Sequence, residues 1–154
     1  MGTRGQNVIM KESRIHKFVG DQLSRWPLAC DNFKDRHGYS ILVENGAPRL
    51  MSTMTMVHEM THIWQYLNWN DQEILRTYGQ EQNLEIYEGM AKWVEIQYAY
   101  LIGEPATAKR EEMITRTRDD AYGKGFIKYA ERYPLSTGPL NGSGTPFDQI
   151  KKPL

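Results

Sequence analysis

The pentapeptide His58-Glu59-Met60-Thr61-His62 constrains this chain more than any other feature of its sequence. Residues four apart are neighbours on one face of an α-helix, so the two imidazoles can reach a single metal ion. Glu59 lies about 100° further round the helix, where it can touch a water on that ion without being a ligand. The motif therefore predicts a helix that carries two zinc ligands and a catalytic base.

The segment around this motif, about Ser52 to Leu67, has the clearest helical pattern in the chain. At about 100° per residue one side is apolar, and His58 and His62 lie on roughly the opposite side. The apolar side comprises Met56, Val57, Met60, Ile63, Trp64 and Leu67. This pattern predicts a helix that packs on a core and presents both histidines on its other face.

The chemistry explains why these residue types stand at this spacing. Zinc lowers the pKa of its water towards about 7 and polarises a scissile carbonyl. A glutamate beside that water takes its proton and passes it to the leaving amine. We therefore expect one zinc ion per chain, with His58 and His62 as ligands and Glu59 as the base.

A catalytic zinc needs a third protein ligand, and the sequence offers several places for it. The metzincin pattern is excluded because Gln65 and Asn68 stand where its glycine and third histidine belong. Asp119 lies in a stretch similar to the T-x-D-x-x-Y-G segment of aspartate-ligand zinc proteases. Arg116 replaces the glycine that should precede that segment.

Glu88 is the favoured third ligand. It lies in a second predicted helix, about Leu84 to Ile102, and Gly89 after it permits close approach of another helix. Gly103 is expected to end this helix, and the following Glu104-Pro105 is a good start for the next one. Glu85, one turn before Glu88, is the fallback ligand or a partner of the ligand.

The rest of the chain completes an α+β prediction: a mainly helical, zincin-like domain with a small β-hairpin before the zinc helix. Tyr39 to Glu44 has the pattern of a strand, the turn Asn45-Gly46 follows it, and Pro48 to Met51 is expected to be extended. A helix is predicted over Glu12 to Trp26. Residues 68–83 are polar and predict a loop with some local helix.

The C-terminal third is predicted as helix and then tail. Ala106 to Arg132 is mostly helical in pattern, with a break expected near Gly123 and Gly125. Residues 1–135 are interpreted as one domain, and residues 136–154 as an extended or disordered tail.

Composition narrows the function classes. Lys plus Arg equals Asp plus Glu, 19 each, and this balance argues against a nucleic-acid-binding domain or one that grips an anionic membrane. No apolar run approaches the roughly 20 residues that cross a bilayer. Cys30 is the only cysteine, which excludes an internal disulfide and a multi-cysteine zinc cluster, and favours a cytoplasmic protein.

Three blocks of the sequence resemble the peptidase domain of the DA1 family. Ser40 to Leu50 runs into His58-Glu59-Met60-Thr61-His62-Ile63-Trp64, as that family's strand and G-x-P-R-L turn precede its zinc helix. Glu88-Gly89 resembles its glutamate-glycine ligand site. Ala121 to Phe126 looks like its Y-G-x-G-F block. Together the blocks span about Ser40 to Tyr133.

The resemblance implies a gluzincin, with Glu88 as third ligand, and a peptidase acting on a protein or peptide. It makes the aspartate-type match at Asp119 a coincidence. The chain departs from the family at Tyr87, where a glutamate commonly precedes the ligand. The LIM modules of the plant members are absent, since one cysteine cannot build them.

Two further hypotheses concern the substrate. The strand segment Ser40, Ile41, Leu42 and Val43 is a candidate edge that pairs with an extended substrate, and an ordinary core strand is the alternative. Tyr122 is a candidate hydrogen-bond donor to the oxyanion, with a packed helix aromatic as its alternative.

Other functions remain open at this point. The main alternative is a zinc-binding, peptidase-like interaction module with little turnover. A nucleic-acid-associated protease shares the H-E-x-x-H motif, but the neutral charge disfavours it.

Overall fold

The structure is a computed structural model, and it consists mainly of helix wherever it describes the chain. It describes residues 2–3, 43–44, 49–138, 140, 144–149 and 153–154. The chain divides into two compact units, Met1–Asn68 and Trp69–Leu154. The helix predicted over 12–26 and most of the strand predicted over 39–44 fall outside the described residues.

The first unit contains two very short strands and one long helix. Strand β1 (Gly2–Thr3) pairs antiparallel with β2 (Val43–Glu44), with Gly2 opposite Glu44 and Thr3 opposite Val43. Helix α1 spans Arg49–Asn68.

The predicted α+β class is wrong, although its helical part is right. Among the described residues, no hairpin precedes the helix that carries the motif: β2 pairs with the distant β1, and each strand is only two residues long. The piece expected to be extended up to Met51 instead forms the first turn of α1. The first three residues of α1 are good helix formers: Arg49, Leu50 and Met51. Extending the long helical segment that follows them by one turn is favourable.

Helix α1 confirms the helix predicted around the H-E-x-x-H motif. It runs unbroken for 20 residues because it contains neither glycine nor proline. Its buried side chains are Met54, Val57, Met60, Thr61, Ile63, Trp64 and Gln65. The buried Thr61 hydroxyl donates to the Val57 carbonyl at 2.8 Å, so its burial leaves no polar group unpaired.

The second unit is a helical assembly around one central helix. Its elements in chain order are α2 (Asp71–Tyr78), α3 (Gln80–Leu101), α4 (Pro105–Arg116), α5 (Ala121–Arg132) and a 3-10 turn (Pro146–Asp148). Helix α5 packs most extensively on α3, α4 packs on both of them, and α2 packs on α3. Helix α3 is buried on nearly all sides from Gly89 to Tyr100, as expected for the centre of a bundle.

The helix boundaries follow local signals. The Asn70 side chain caps α2 by accepting from the Glu73 N–H at 3.2 Å, so part of the predicted 68–83 loop is helix. Gly79, at φ 82°, ends α2, and α3 begins at once with exposed polar residues, four residues before the predicted start. Gly103 and Pro105 separate α3 from α4 as predicted.

One largely shielded ion-pair group links α3 to α4. Lys92 on α3 lies 3.3 Å from Glu95 and 3.7 Å from Glu111 on α4. All three side chains are largely shielded from solvent. Removing the lysine would leave two largely shielded carboxylates without their common cation, so this pairing contributes more to stability than a surface salt bridge does.

The break predicted near Gly123 and Gly125 is wrong, because α5 continues through both glycines. Here the main chains of α3 and α5 touch. A Cβ at Gly89 would overlap the main-chain carbon of Gly125, and one at Gly125 would overlap the Glu85 carbonyl oxygen. The Tyr129 hydroxyl donates to the Ile86 carbonyl at 2.8 Å and reinforces the crossing. Packing of this quality outweighs the low helix propensity of glycine, about 1 kcal/mol each.

Among the described helices, none combines the length and the apolar character needed to cross a membrane.

We predict that Gly125→Ala destabilises the second unit by about 1–3 kcal/mol, because the new methyl group meets main-chain atoms that cannot yield. The gain in helix propensity, about 1 kcal/mol, does not offset this. Urea unfolding followed by circular dichroism measures the difference. Gly138→Ala is the matched control: a Cβ there meets nothing within 4 Å, so its stability should stay within about 0.5 kcal/mol. If the two substitutions lowered the free energy of unfolding equally, the close crossing of α3 and α5 at Gly125 would be contradicted.

Candidate metal centre

His58 and His62 converge on one side of α1. Both are half-buried, and their rings meet edge to face with centroids 4.9 Å apart. Their Nε2 atoms are 3.2 Å apart. Two zinc–nitrogen bonds of 2.0–2.1 Å at a tetrahedral angle would place the nitrogens about 3.3 Å apart. The spacing of the pair therefore suits two ligands of one tetrahedral zinc ion.

Gln65 orients the second histidine. The Nδ1 atom of His62 lies 2.8 Å from Oε1 of Gln65, and an amide oxygen only accepts hydrogen bonds. Nδ1 is therefore the donor, and a neutral His62 keeps the lone pair on Nε2, the atom that faces His58. Gln65 is fully buried, which restricts its own movement.

Gln65 is the residue that the sequence interpretation missed. In the sequence analysis Gln65 was used only to exclude the metzincin pattern. Its position three residues after His62 could have indicated the contact, since residues at this spacing are neighbours on one helix face. The ring N–H of a metal-binding histidine that is not on the metal side usually donates a hydrogen bond to an oxygen acceptor.

Glu59 directly follows His58 on α1 and is half-buried. Its position about 100° round the helix separates its carboxylate from the line of the two imidazoles. The role of Glu59 as the base stays a prediction.

Glu88 lies more than two turns inside α3 and is also half-buried. The helix is anchored on either side of it. Before it, the Tyr87 hydroxyl is hydrogen-bonded to the Asp71 carboxylate, and the Tyr87 ring meets Trp69 edge to face at 5.1 Å. After it, Gly89 lies at the close crossing with α5. Glu88 is thus carried by one of the most tightly held stretches of the second unit.

The two rival ligands occupy different surroundings. The Asp119 side chain is 94% exposed and pairs with Lys124 at 3.4 Å in the turn before α5. Glu85 is paired with Lys128 of α5. Glu85 already neutralises Lys128, which makes it a poorer candidate for the fallback ligand. Asp119 is almost fully solvated, so a neighbouring helix does little to hold its carboxylate in place.

The structure describes some of the predicted substrate residues and not others. Tyr122 is half-buried in the first turn of α5, and the Arg118 guanidinium lies 4.6 Å above its ring. Val43 belongs to β2 and pairs with Thr3. Ser40, Ile41 and Leu42 fall outside the described residues.

Comparison of the chain with protein-family models, curated proteins and solved structures found no match. The likeness to the DA1 peptidases therefore stays a prediction, and the chemistry of the site rests on the residues of this chain.

We predict that Gln65→Ala lowers the zinc affinity of the protein by about 10- to 100-fold, because His62 loses the acceptor that orients it. Competition with a chromophoric chelator measures the affinity. Gln65→Glu, which keeps an acceptor oxygen, should restore most of it.

Gln97→Ala is the matched control, since Gln97 is also fully buried but bonds to the Ser136 main chain. It should lower stability and leave zinc affinity unchanged. If both alanine variants bound zinc equally, Gln65 would have no role in orienting His62.

Proposed function

We propose that this chain is a zinc-dependent metallopeptidase in which His58, His62 and Glu88 bind one zinc ion. The observation that supports it most directly lies within α1: the Nε2 atoms of His58 and His62 are 3.2 Å apart, the separation expected of two ligands of one tetrahedral zinc ion. Glu88 is proposed as the third ligand from the sequence, where Glu88-Gly89 follows the H-E-x-x-H motif, and the residue lies in helix α3.

The chemistry of the donors supports zinc over other ions. Two imidazoles and one carboxylate are a zinc-type set, whereas magnesium and calcium prefer oxygen ligands throughout. Three protein ligands leave the fourth position of a tetrahedral ion open, which distinguishes a catalytic site from a structural one. The partial burial of all three side chains is compatible with access for a substrate.

A bound zinc ion would supply Lewis acidity, both towards a water molecule and towards the carbonyl of the scissile peptide bond. The protein supplies the rest. Glu59 accepts the proton that the attacking water loses and donates it to the departing amine. Gln65 holds His62 in the tautomer that presents Nε2. We propose a protein or a peptide as the substrate.

Membership of the DA1 family, a gluzincin type, is part of the proposal. It is supported by the order of the H-E-x-x-H motif, Glu88-Gly89 and the block from Ala121 to Phe126. The tight crossing of Gly89 against Gly125 supplies a physical reason for two of these blocks to occur together. A cytoplasmic location is proposed from the single cysteine, and the neutral charge speaks against a nucleic-acid partner.

We predict that the purified protein binds one zinc ion per chain and that Glu88→Ala weakens binding by more than about 100-fold, beyond the effect of losing an outer hydrogen-bond partner. Metal content by mass spectrometry and chelator competition measure it. Asp119→Ala and Glu85→Ala are matched controls and should retain zinc. Retention by Glu88→Ala with loss in either control would assign the third ligand elsewhere.

We predict that Glu59→Gln keeps its zinc but loses peptide hydrolysis by about 10²- to 10⁴-fold, because the amide cannot accept the proton. Turnover is measured on casein and on a quenched-fluorescence peptide library. Glu81→Gln, the same change at an exposed position of α3, should leave turnover intact. A zinc-loaded wild type with no turnover on any of these substrates would support a zinc-binding interaction module instead.

A further inference from the structure

The chain beyond α5 is tied to the second unit by side chains that recognise its main chain. The Trp93 indole N–H donates to the Tyr133 carbonyl at 2.8 Å. The Gln97 amide donates to the Ser136 carbonyl at 2.9 Å and accepts from the Ser136 N–H at 2.8 Å. Gln97 thus pairs with this segment as a neighbouring strand would.

The pattern continues in a later segment, which we call the strap: residues 145–149 with 153–154. Three donors of the second unit hold it. The Trp69 indole N–H donates to the Gln149 carbonyl at 3.3 Å, and the Tyr133 hydroxyl to the Pro153 carbonyl at 3.4 Å. The Tyr78 hydroxyl donates to the Leu154 carbonyl at 2.9 Å and accepts from the Leu154 N–H at 3.2 Å.

These contacts are independent of the strap's side chains, since each partner is a main-chain group. The side chains that are buried are apolar or small: Phe147 is fully buried, and Thr145, Pro146 and Pro153 are buried too. Main-chain hydrogen bonds combined with a few buried anchors are the means by which proteins bind extended peptides.

The strap also organises itself. Pro146–Asp148 forms a 3-10 turn, and the Asp148 carboxylate accepts from the Thr145 N–H at 2.9 Å. Proline at the first position of the turn pre-sets its backbone. A separate peptide with this sequence would therefore lose less conformational entropy on binding than a flexible one.

We propose that Trp69, Tyr78 and Tyr133 form a peptide-binding surface. The strap occupies this surface within the chain, and a peptide of another chain binds there when the strap leaves. The partner is an extended segment of the same chemistry: a phenylalanine in a proline-initiated turn, followed by a proline-leucine pair. This proposal does not depend on zinc or on hydrolysis.

The strap is covalently connected to the surface it occupies, and the test must take this connection into account. A short covalent connection gives a bound segment an effective concentration in the millimolar range. A free peptide therefore competes poorly with the intact strap. A substitution that weakens the strap, Phe147→Ala, removes its buried anchor and leaves the three donors in place.

The experiment measures fluorescence anisotropy of a labelled synthetic peptide with the sequence of residues 144–154, titrated with the full chain. The Phe147→Ala protein should bind it at least tenfold more tightly than the wild type does. Adding Tyr78→Phe should weaken that binding by roughly three- to tenfold, because two hydrogen bonds are lost. Adding Tyr66→Phe, a matched change at an exposed tyrosine of α1, should have no effect.

Circular dichroism establishes that each variant is folded. If Phe147→Ala does not fold, Asp148→Ala takes its place, since it disrupts the turn of the strap without opening a cavity. The proposal is overturned if a folded, strap-weakened protein shows no saturable binding, or if Tyr78→Phe and Tyr66→Phe have equal effects.

Discussion

The arrangement of the candidate site depends on a property of the α-helix: side chains one turn apart lie side by side. His58 and His62 meet at 3.2 Å between their Nε2 atoms because α1 is unbroken between and around them. The same regularity brings Gln65 to His62 and sets Glu59 apart from the ligand pair. The spacing of the two histidines, the tautomer of His62 and the place of Glu59 therefore all follow from one continuous helix. A kink in α1 would alter them together.

The local part of this arrangement was predictable from the sequence, and the part that depends on packing was not. The H-E-x-x-H helix, the helix that carries Glu88 and the boundary at Gly103 each follow from nearby residues. The hairpin was wrong because the turn signal Asn45-Gly46 says nothing about which distant segment β2 will pair with. The break expected in α5 was wrong because a glycine lowers helix propensity in isolation, whereas here it allows two main chains to touch.

In the candidate site, too, some features were predictable from local sequence and others depended on packing. The residue types in the motif pointed to His58, His62 and Glu59 directly. The sequence favoured Glu88 over Asp119 through its pattern and its resemblance to a known family. In the structure the two carboxylates have different surroundings: Glu88 lies in a tightly packed helix, and Asp119 is 94% exposed. Gln65 was missed because a hydrogen bond between two side chains depends on their rotamers, which the spacing allows but does not specify.

The proposed zinc site is best tested by the zinc K-edge X-ray absorption fine structure of the protein loaded with one equivalent of zinc. The chain has four histidines and one cysteine, so the spectrum distinguishes the possible ligand sets. If His58, His62 and Glu88 bind the ion, we expect two imidazole nitrogens and carboxylate or water oxygens at about 2.0–2.1 Å, with no sulfur. A sulfur scatterer at about 2.3 Å, three or more imidazoles, or an all-oxygen shell would contradict it.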